Sequence, residues 1–394
     1  MNSAATTHPV IDWTEAGEAR AARWRSESGN PPPRRVVIAD DRTTADAAYR
    51  LACEGVAMLW RGDFQNARQL LQALTRRVER KPRKASAAPD ISPGVSPNEA
   101  FHLHRLAQSR RARTLAMLLL PLEADYSIPL RRAPDLRQAC VEAYGPAYGP
   151  NNGPNNGASV VSLRELLGLV GAHEWRKKGV AVPALGARIH PHYGVFAPIR
   201  GEYVGLLAEA PLPTQIALAF DIGTGTGVLA AVLARRGIAH IVATDQDPRA
   251  LVCARENIAR LGLAAQVEVV AADLFPAGRA PLVVCNPPWL PARPSSPIEY
   301  AVYDPDSRML LGFLNGLAAH LTPAGEGWLL LSDLAEHLGL RSRAELLAAI
   351  DAAGLKVVGR IDVRPQHPRV ADASDPLHAA RAAELTSLWR LVAR

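Results

Sequence analysis

Four consecutive residues, Asn286-Pro287-Pro288-Trp289, place a side-chain amide, backbone carbonyls and a flat aromatic ring together. They follow the apolar run 281–285 (Pro-Leu-Val-Val-Cys), which reads as a buried strand. Two prolines in succession cannot continue a ladder, so the strand ends there. An amide oxygen and a free carbonyl at a strand's carboxyl end can accept hydrogen bonds from a planar –NH2 group, while the ring of Trp289 lies against the rest of that molecule. In open α/β sheets, ligands bind at this end of the strands.

Three further strand ends carry ligand-compatible residues. Asp221-Ile222-Gly223-Thr224-Gly225-Thr226-Gly227 joins an expected strand at 216–221 to a helix at 228–236. Its glycines permit a tight turn and close backbone approach, and the helix start offers free N–H groups. The same turn occurs in dinucleotide-binding dehydrogenases, but Asp221 would repel a pyrophosphate and suits a cationic or amino-bearing ligand. Asp245 ends the next expected strand, where an acidic residue pairs with ribose hydroxyls. Helix capping there falls to Asp247, because Pro248 occupies the first turn. Asp273 ends a third strand, placed to accept from an amino group on a ring that packs on Leu274 or Phe275.

These ends need a framework. From residue 216 to the C-terminus, strand-like and helix-like segments alternate, which implies a doubly wound α/β sheet. Upstream, the low-complexity run 144–157 (Tyr-Gly-Pro-Ala-Tyr-Gly-Pro-Asn-Asn-Gly-Pro-Asn-Asn-Gly) reads as a linker. The expected organisation is a loosely packed 1–35, a mostly helical basic domain at 36–143, the linker, a bridging substrate-side segment at 158–190, and the ligand-binding domain at 191–394.

Composition narrows the class. The 394 residues are 48% hydrophobic and 21% charged, ordinary for a soluble globular protein. No apolar run reaches the length of a membrane span, so no membrane partner is expected. Cys53, Cys140, Cys253 and Cys285 are widely spaced, which argues against a metal site and for a reducing cytoplasm. The net charge of +7 is carried by residues 1–140, with 22 Lys and Arg against 15 Asp and Glu; the remainder holds 23 of each. That asymmetry suits a nucleic-acid partner at the N-terminal third; the alternative is a compositional bias toward Arg on a solvated face.

Together, the 221–227 turn, Asp245, Asp273 and Asn286-Pro287-Pro288-Trp289 resemble the class I S-adenosylmethionine-dependent methyltransferases, in the branch that methylates amino and amide nitrogens. The resemblance covers about residues 185–394 and stops short of 1–158. It implies a Rossmann-like, mostly parallel seven-stranded sheet with its last strand, at 385–392, antiparallel, and S-adenosylmethionine as cofactor. The implied cofactor contacts are Phe196, Asp221, Gly223, Thr224, Gly225, Gly227, Asp245, Asp273, Leu274 and Asn286. Asn286, Pro287 and Trp289 are the implied catalytic residues, with Pro288, Trp289, Tyr193 and Arg200 at the substrate. The acceptor this points to is adenine in RNA or DNA; alternatives are a protein glutamine, as in the release-factor methylases, a small-molecule amine, or a catalytically silent binding module. The sequence departs from the branch in carrying Trp where Tyr or Phe is commoner.

Overall fold

A computed structural model describes residues 8–80, 95–147, 157–214, 216–294, 297–365, 372 and 375–394. The chain divides into two compact units: 1–87 with 104–174, and 88–103 with 175–394.

The N-terminal unit is built on a six-stranded sheet, which corrects the expectation of a mostly helical domain. Its elements are β1 (Val10–Glu15), β2 (Glu18–Arg25), β3 (Arg35–Ala39), α1 (Ala45–Cys53), β4 (Val56–Trp60), α2 (Phe64–Glu79), α3 (Pro97–Leu115) from residue 104 onward, β5 (Leu118–Leu122), α4 (Arg137–Tyr144), β6 (Ser159–Ser162) and α5 (Leu163–Lys178) up to residue 174. The spatial order is β1-β2-β6-β5-β4-β3. β4 is buried at every position and β5 at all but Pro121, so neither shows the alternation that marks a half-exposed strand. Short unbroken apolar runs are ambiguous between helix and buried strand. Gly55, at φ 74°, is what separates α1 from β4.

Two boundaries are corrected as well. The 1–35 region is not loose from Val10 onward. β1 and β2 form an antiparallel hairpin, turned by Ala16 and Gly17, both at positive φ. The 144–157 run is not the domain boundary, although 148–156 lie outside the described residues. β6 follows the run and pairs with β2 and β5, and the unit continues to Glu174. The expected bridging segment 158–190 is therefore divided between the units.

The C-terminal unit opens with the hairpin β7 (Val180–Val182) and β8 (Ala187–Ile189), followed by α6 (Glu202–Glu209). Then come β9 (Leu218–Ile222), α7 (Val228–Arg235), β10 (His240–Asp245), α8 (Pro248–Arg260), β11 (Val267–Ala271) and β12 (Ala280–Cys285). The remainder is α9 (Arg308–His320), β13 (Leu321–Ser332), α10 (Leu334–His337), α11 (Arg343–Ala352), β14 (Leu355–Val363), α12 (His378–Ala383) and β15 (Thr386–Ala393). The seven strands are ordered β11-β10-β9-β12-β13-β15-β14. The first five run parallel, and β15 lies antiparallel between β13 and β14.

Both faces of the sheet are covered, as a parallel sheet requires. Leu282 and Val284 of β12 belong to a core with Leu229, Leu233 and Trp328, while Val283 and Cys285 belong to another with Phe313, Leu314 and Leu317. The chain winds outward from β9 to β11 and then returns to β12 on the other side of β9. This is the topological switch point, where a crevice opens above the carboxyl ends.

Candidate active site

The turn after β9 is held from below. Asp221 is fully buried; its Oδ2 accepts from the Thr224 hydroxyl (2.7 Å) and the Ala230 N–H (3.1 Å). Burial pushes its carboxyl up to about 6. The backbone N–H of Thr224 donates to the Thr244 carbonyl, tying the turn to β10. Gly223, Gly225 and Gly227 all have positive φ, a conformation that disfavours a side chain.

Asp245, at the end of β10, accepts from the Gly225 N–H (3.0 Å) and the Asp247 N–H (3.0 Å). Burial raises its carboxyl above the usual range. Asp247 caps α8 by accepting from the Arg249 N–H (2.9 Å), with Pro248 in the first turn. Asp245 is therefore left facing the ligand space. Beyond β11, Asp273 is exposed and ion-paired with Arg308 (3.2 Å). Leu274 sits at φ 73°, its carbonyl accepting from the Thr244 hydroxyl.

A cavity of about 660 Å³ joins these ends, within the range of ligand sites. Among the predicted site residues, Phe196, Gly223, Thr224, Gly225, Asp245, Asp273, Leu274, Asn286 and Pro288 line it.

Six predicted contacts do not form its wall. Asp221 is committed beneath the turn and supports it. Gly227 faces α8, where a Cβ would come within 3.3 Å of Ala254 Cα, so its role is close helix packing. Tyr193 lies beside Arg249, whose guanidinium carbon is 5.6 Å from the ring centre. Arg200 is bound to the buried Glu384 (3.0 Å), with its guanidinium 5.8 Å from the centre of the Trp289 ring. Trp289 packs into the core edge, and its indole N–H donates to Asn286 Oδ1 (2.9 Å). Pro287 is also buried, between Asn286 and Pro288 on the wall.

The sequence reading missed one wall. Tyr300, Tyr303, Asp304, Arg308 and Met309 line the cavity from the segment after the Asn-Pro-Pro-Trp run. Asp304 accepts from the Met309 and Leu310 N–H groups and so starts α9. A Cβ on Gly223 would collide with Met309 Cε. This segment has no period to read; its signal is two tyrosines and three acidic residues close to a recognisable motif.

The strand order, with β15 reversed between β13 and β14, decides the fold class. The C-terminal unit has the class I S-adenosylmethionine-dependent methyltransferase fold. Residues 207–287 match the family described as ribosomal protein L11 methyltransferase (PrmA). The chain is similar to a release factor glutamine methyltransferase of Cereibacter sphaeroides, 35% identical over 196 residues, covering 46% of this chain and 65% of that protein. A second, from Mycolicibacterium smegmatis, is 40% identical over 133 residues, covering 32% and 46%. A ribosomal protein L11 methyltransferase of Pelotomaculum thermopropionicum is 48% identical over 69 residues, covering 17% and 22%. The chain thus spans under two thirds of the length of these curated relatives. Among solved structures, a methyltransferase from Pyrococcus furiosus aligns at TM-score 0.41 and 17% identity, covering 57% of this chain and 98% of that one.

The C-terminal unit's cavity fits the cofactor that the fold implies. A Cβ at Gly225 would meet nothing within 4 Å, so the backbone there lies open to a ligand. A carboxylate stands at the β10 position and another at the β11 position, and the wall between is mainly apolar. Among the described residues, no group of His, Cys, Asp and Glu could hold a metal ion, and no helix is long and apolar enough to cross a membrane.

Proposed function

We propose that this chain is an S-adenosylmethionine-dependent N-methyltransferase whose acceptor is the side-chain amide of a protein glutamine. The observation that carries the reading is that Asn286 lines the same cavity as Gly223, Asp245 and Asp273. A group that holds an acceptor nitrogen must sit beside the groups that hold the donor.

The bound cofactor would supply an electrophilic methyl group on a sulfonium. Asp245 would accept from its ribose hydroxyls, Asp273 and Leu274 would flank its base, and the turn at Gly223–Gly225 would lie against its amino-acid end. Asn286 Oδ1 and the Pro287 carbonyl would accept the two N–H groups of the substrate amide. An amide nitrogen is a poor nucleophile because its lone pair is delocalised. Holding both hydrogens draws the nitrogen toward a tetrahedral form and aims the lone pair at the methyl carbon. The cofactor would supply the methyl carbon, its S–C bond giving way to the new N–C bond, and the nitrogen would then shed a proton to solvent. The contribution is positioning plus stabilisation of developing positive charge, with no strong base.

The protein acceptor is favoured over adenine on two grounds. The relatives matched over 196 and 156 residues are both named release factor glutamine methyltransferase. Part of the basic charge that suggested nucleic acid is engaged by carboxylates: Arg20, Arg61, Arg77, Arg131, Arg132 and Arg137 are each in ion pairs. Paired cations offer less to a phosphate backbone than free ones.

The test is methyl transfer from radiolabelled cofactor by the full chain to bacterial release factors, ribosomal proteins, total RNA and DNA. Label on a glutamine, located by peptide mass spectrometry, is expected. Label in the nucleic-acid fraction overturns the acceptor, and no label in any fraction overturns the activity.

A further inference from the structure

The hydrogen bond from Trp289 to Asn286 has a chemical consequence. An Asn side chain has two nearly isosteric ends, a carbonyl that accepts and an NH2 that donates. Only one orientation can grip an acceptor's N–H groups; the flipped amide would set donor against donor. The indole N–H of Trp289 is a donor with no acceptor capacity, and at 2.9 Å it selects the Asn286 oxygen. A carbonyl oxygen has two lone pairs, so one remains for the substrate.

The indole is itself held. Its ring packs against core residues of both sheet faces. Arg200 lies over it at 5.8 Å, and that guanidinium donates to Glu384 Oε1 (3.0 Å), which also accepts from the Ser332 hydroxyl (2.7 Å). Glu384 is 1% exposed, a depth at which a carboxylate requires its cation. Arg341 donates to the Trp289 carbonyl (3.4 Å), anchoring the backbone as well.

We propose that Trp289 is a positioning residue that sets the orientation of the Asn286 amide, and that Arg200, clamped by Glu384 and Ser332, holds Trp289 in place for it. The inference rests on the methyl-transfer reading and deepens it. A Phe or Tyr at this position would supply the ring without an N–H at that point, so Trp289 adds a directional contact that its aromatic character alone does not provide.

The test compares Trp289→Phe and Arg200→Met with the wild-type full chain, on the acceptor labelled in the preceding experiment. Trp289→Phe keeps most of the ring and loses the donor. Its kcat is expected to fall about 3- to 10-fold, the worth of one neutral hydrogen bond, with cofactor Kd and acceptor KM within about 2-fold and an unchanged melting temperature. Arg200→Met is expected to lower kcat to a smaller degree, again with cofactor Kd and acceptor KM nearly unchanged, and to lower the melting temperature because Glu384 loses its cation. Unchanged kcat in Trp289→Phe overturns the proposal, as does a loss wholly in KM, which would make Trp289 a substrate-stacking residue only. A second readout is independent of turnover: the Trp289 indole N–H resonance of the full chain is expected to shift, and its hydrogen exchange to speed up, in Asn286→Ala. An unmoved resonance overturns the bond. If the wild type labels nothing while the resonance responds, the methyl-transfer reading fails and the contact stands.

Discussion

At the scale of single residues, the site separates groups that touch ligand from groups that support them. Asn286→Ala is expected to lower kcat by roughly 100-fold or more with cofactor affinity almost intact, because the contact matters chiefly in the transition state. A comparable loss of cofactor binding by calorimetry would reassign Asn286 to the cofactor. Asp245→Ala should do the reverse, weakening cofactor binding by about 10- to 100-fold, as for a charged hydrogen-bond acceptor. Asp221 gives a different signature. Burial raises its carboxyl from 3.8 to about 6, so the folded chain binds more protons than the unfolded chain between those values. Stability from this group is therefore present below about pH 4 and is lost as pH rises toward about 6. Asp221→Asn keeps an acceptor for Thr224 and Ala230. Urea midpoints of the wild type should fall relative to this variant across that pH interval, and parallel curves would contradict the assignment. The motif identified Asp221, yet spacing alone could not say that its side chain turns under the loop.

At the scale of elements, α7 and α8 meet through Gly227. Its φ of 81° and the 3.3 Å approach of Ala254 leave no room for a methyl group without strain. Gly227→Ala should destabilise the fold by about 1–3 kcal/mol, read as a lowered urea midpoint with little change in the slope. The strands and helices of the C-terminal unit were legible because βαβ alternation combines two periods with glycine and proline punctuation. The reversed β15 came from the family resemblance, and the pairing of β13 with β15 bears it out. The N-terminal unit was misread for the converse reason. β4 and β5 are short, apolar throughout and adjacent to helices, so local pattern assigned them to those helices.

At the scale of the whole molecule, the two compact units are not two contiguous segments. Residues 88–103 group with the C-terminal unit, where Phe101, 2% exposed, packs with Leu290, Leu334, Leu338 and Leu377. Leu290 follows Trp289 directly, so this cluster sits next to the candidate catalytic run. Phe101→Ala in the full chain should cost about 3–5 kcal/mol, measured by denaturant unfolding; a loss below about 1 kcal/mol would mean that this cluster does not support the unit.

The amino-acid sequence by itself determined the chemistry on offer. Residue type and short spacing are enough to put an amide, two prolines and a ring after one strand, and carboxylates after two others, because strand ends and turns are local. Tertiary structure decided which of these groups share a space. Asp221, Tyr193, Arg200 and Gly227 all lie near the motifs in the chain, but burial, ion pairing and helix packing turn them away from the cavity. Met309 and Tyr303 are brought into it from a segment without a periodic pattern. Glu384, nearly a hundred positions beyond Trp289, reaches it only through Arg200. Such contacts depend on the order of strands in the sheet, which no local pattern specifies.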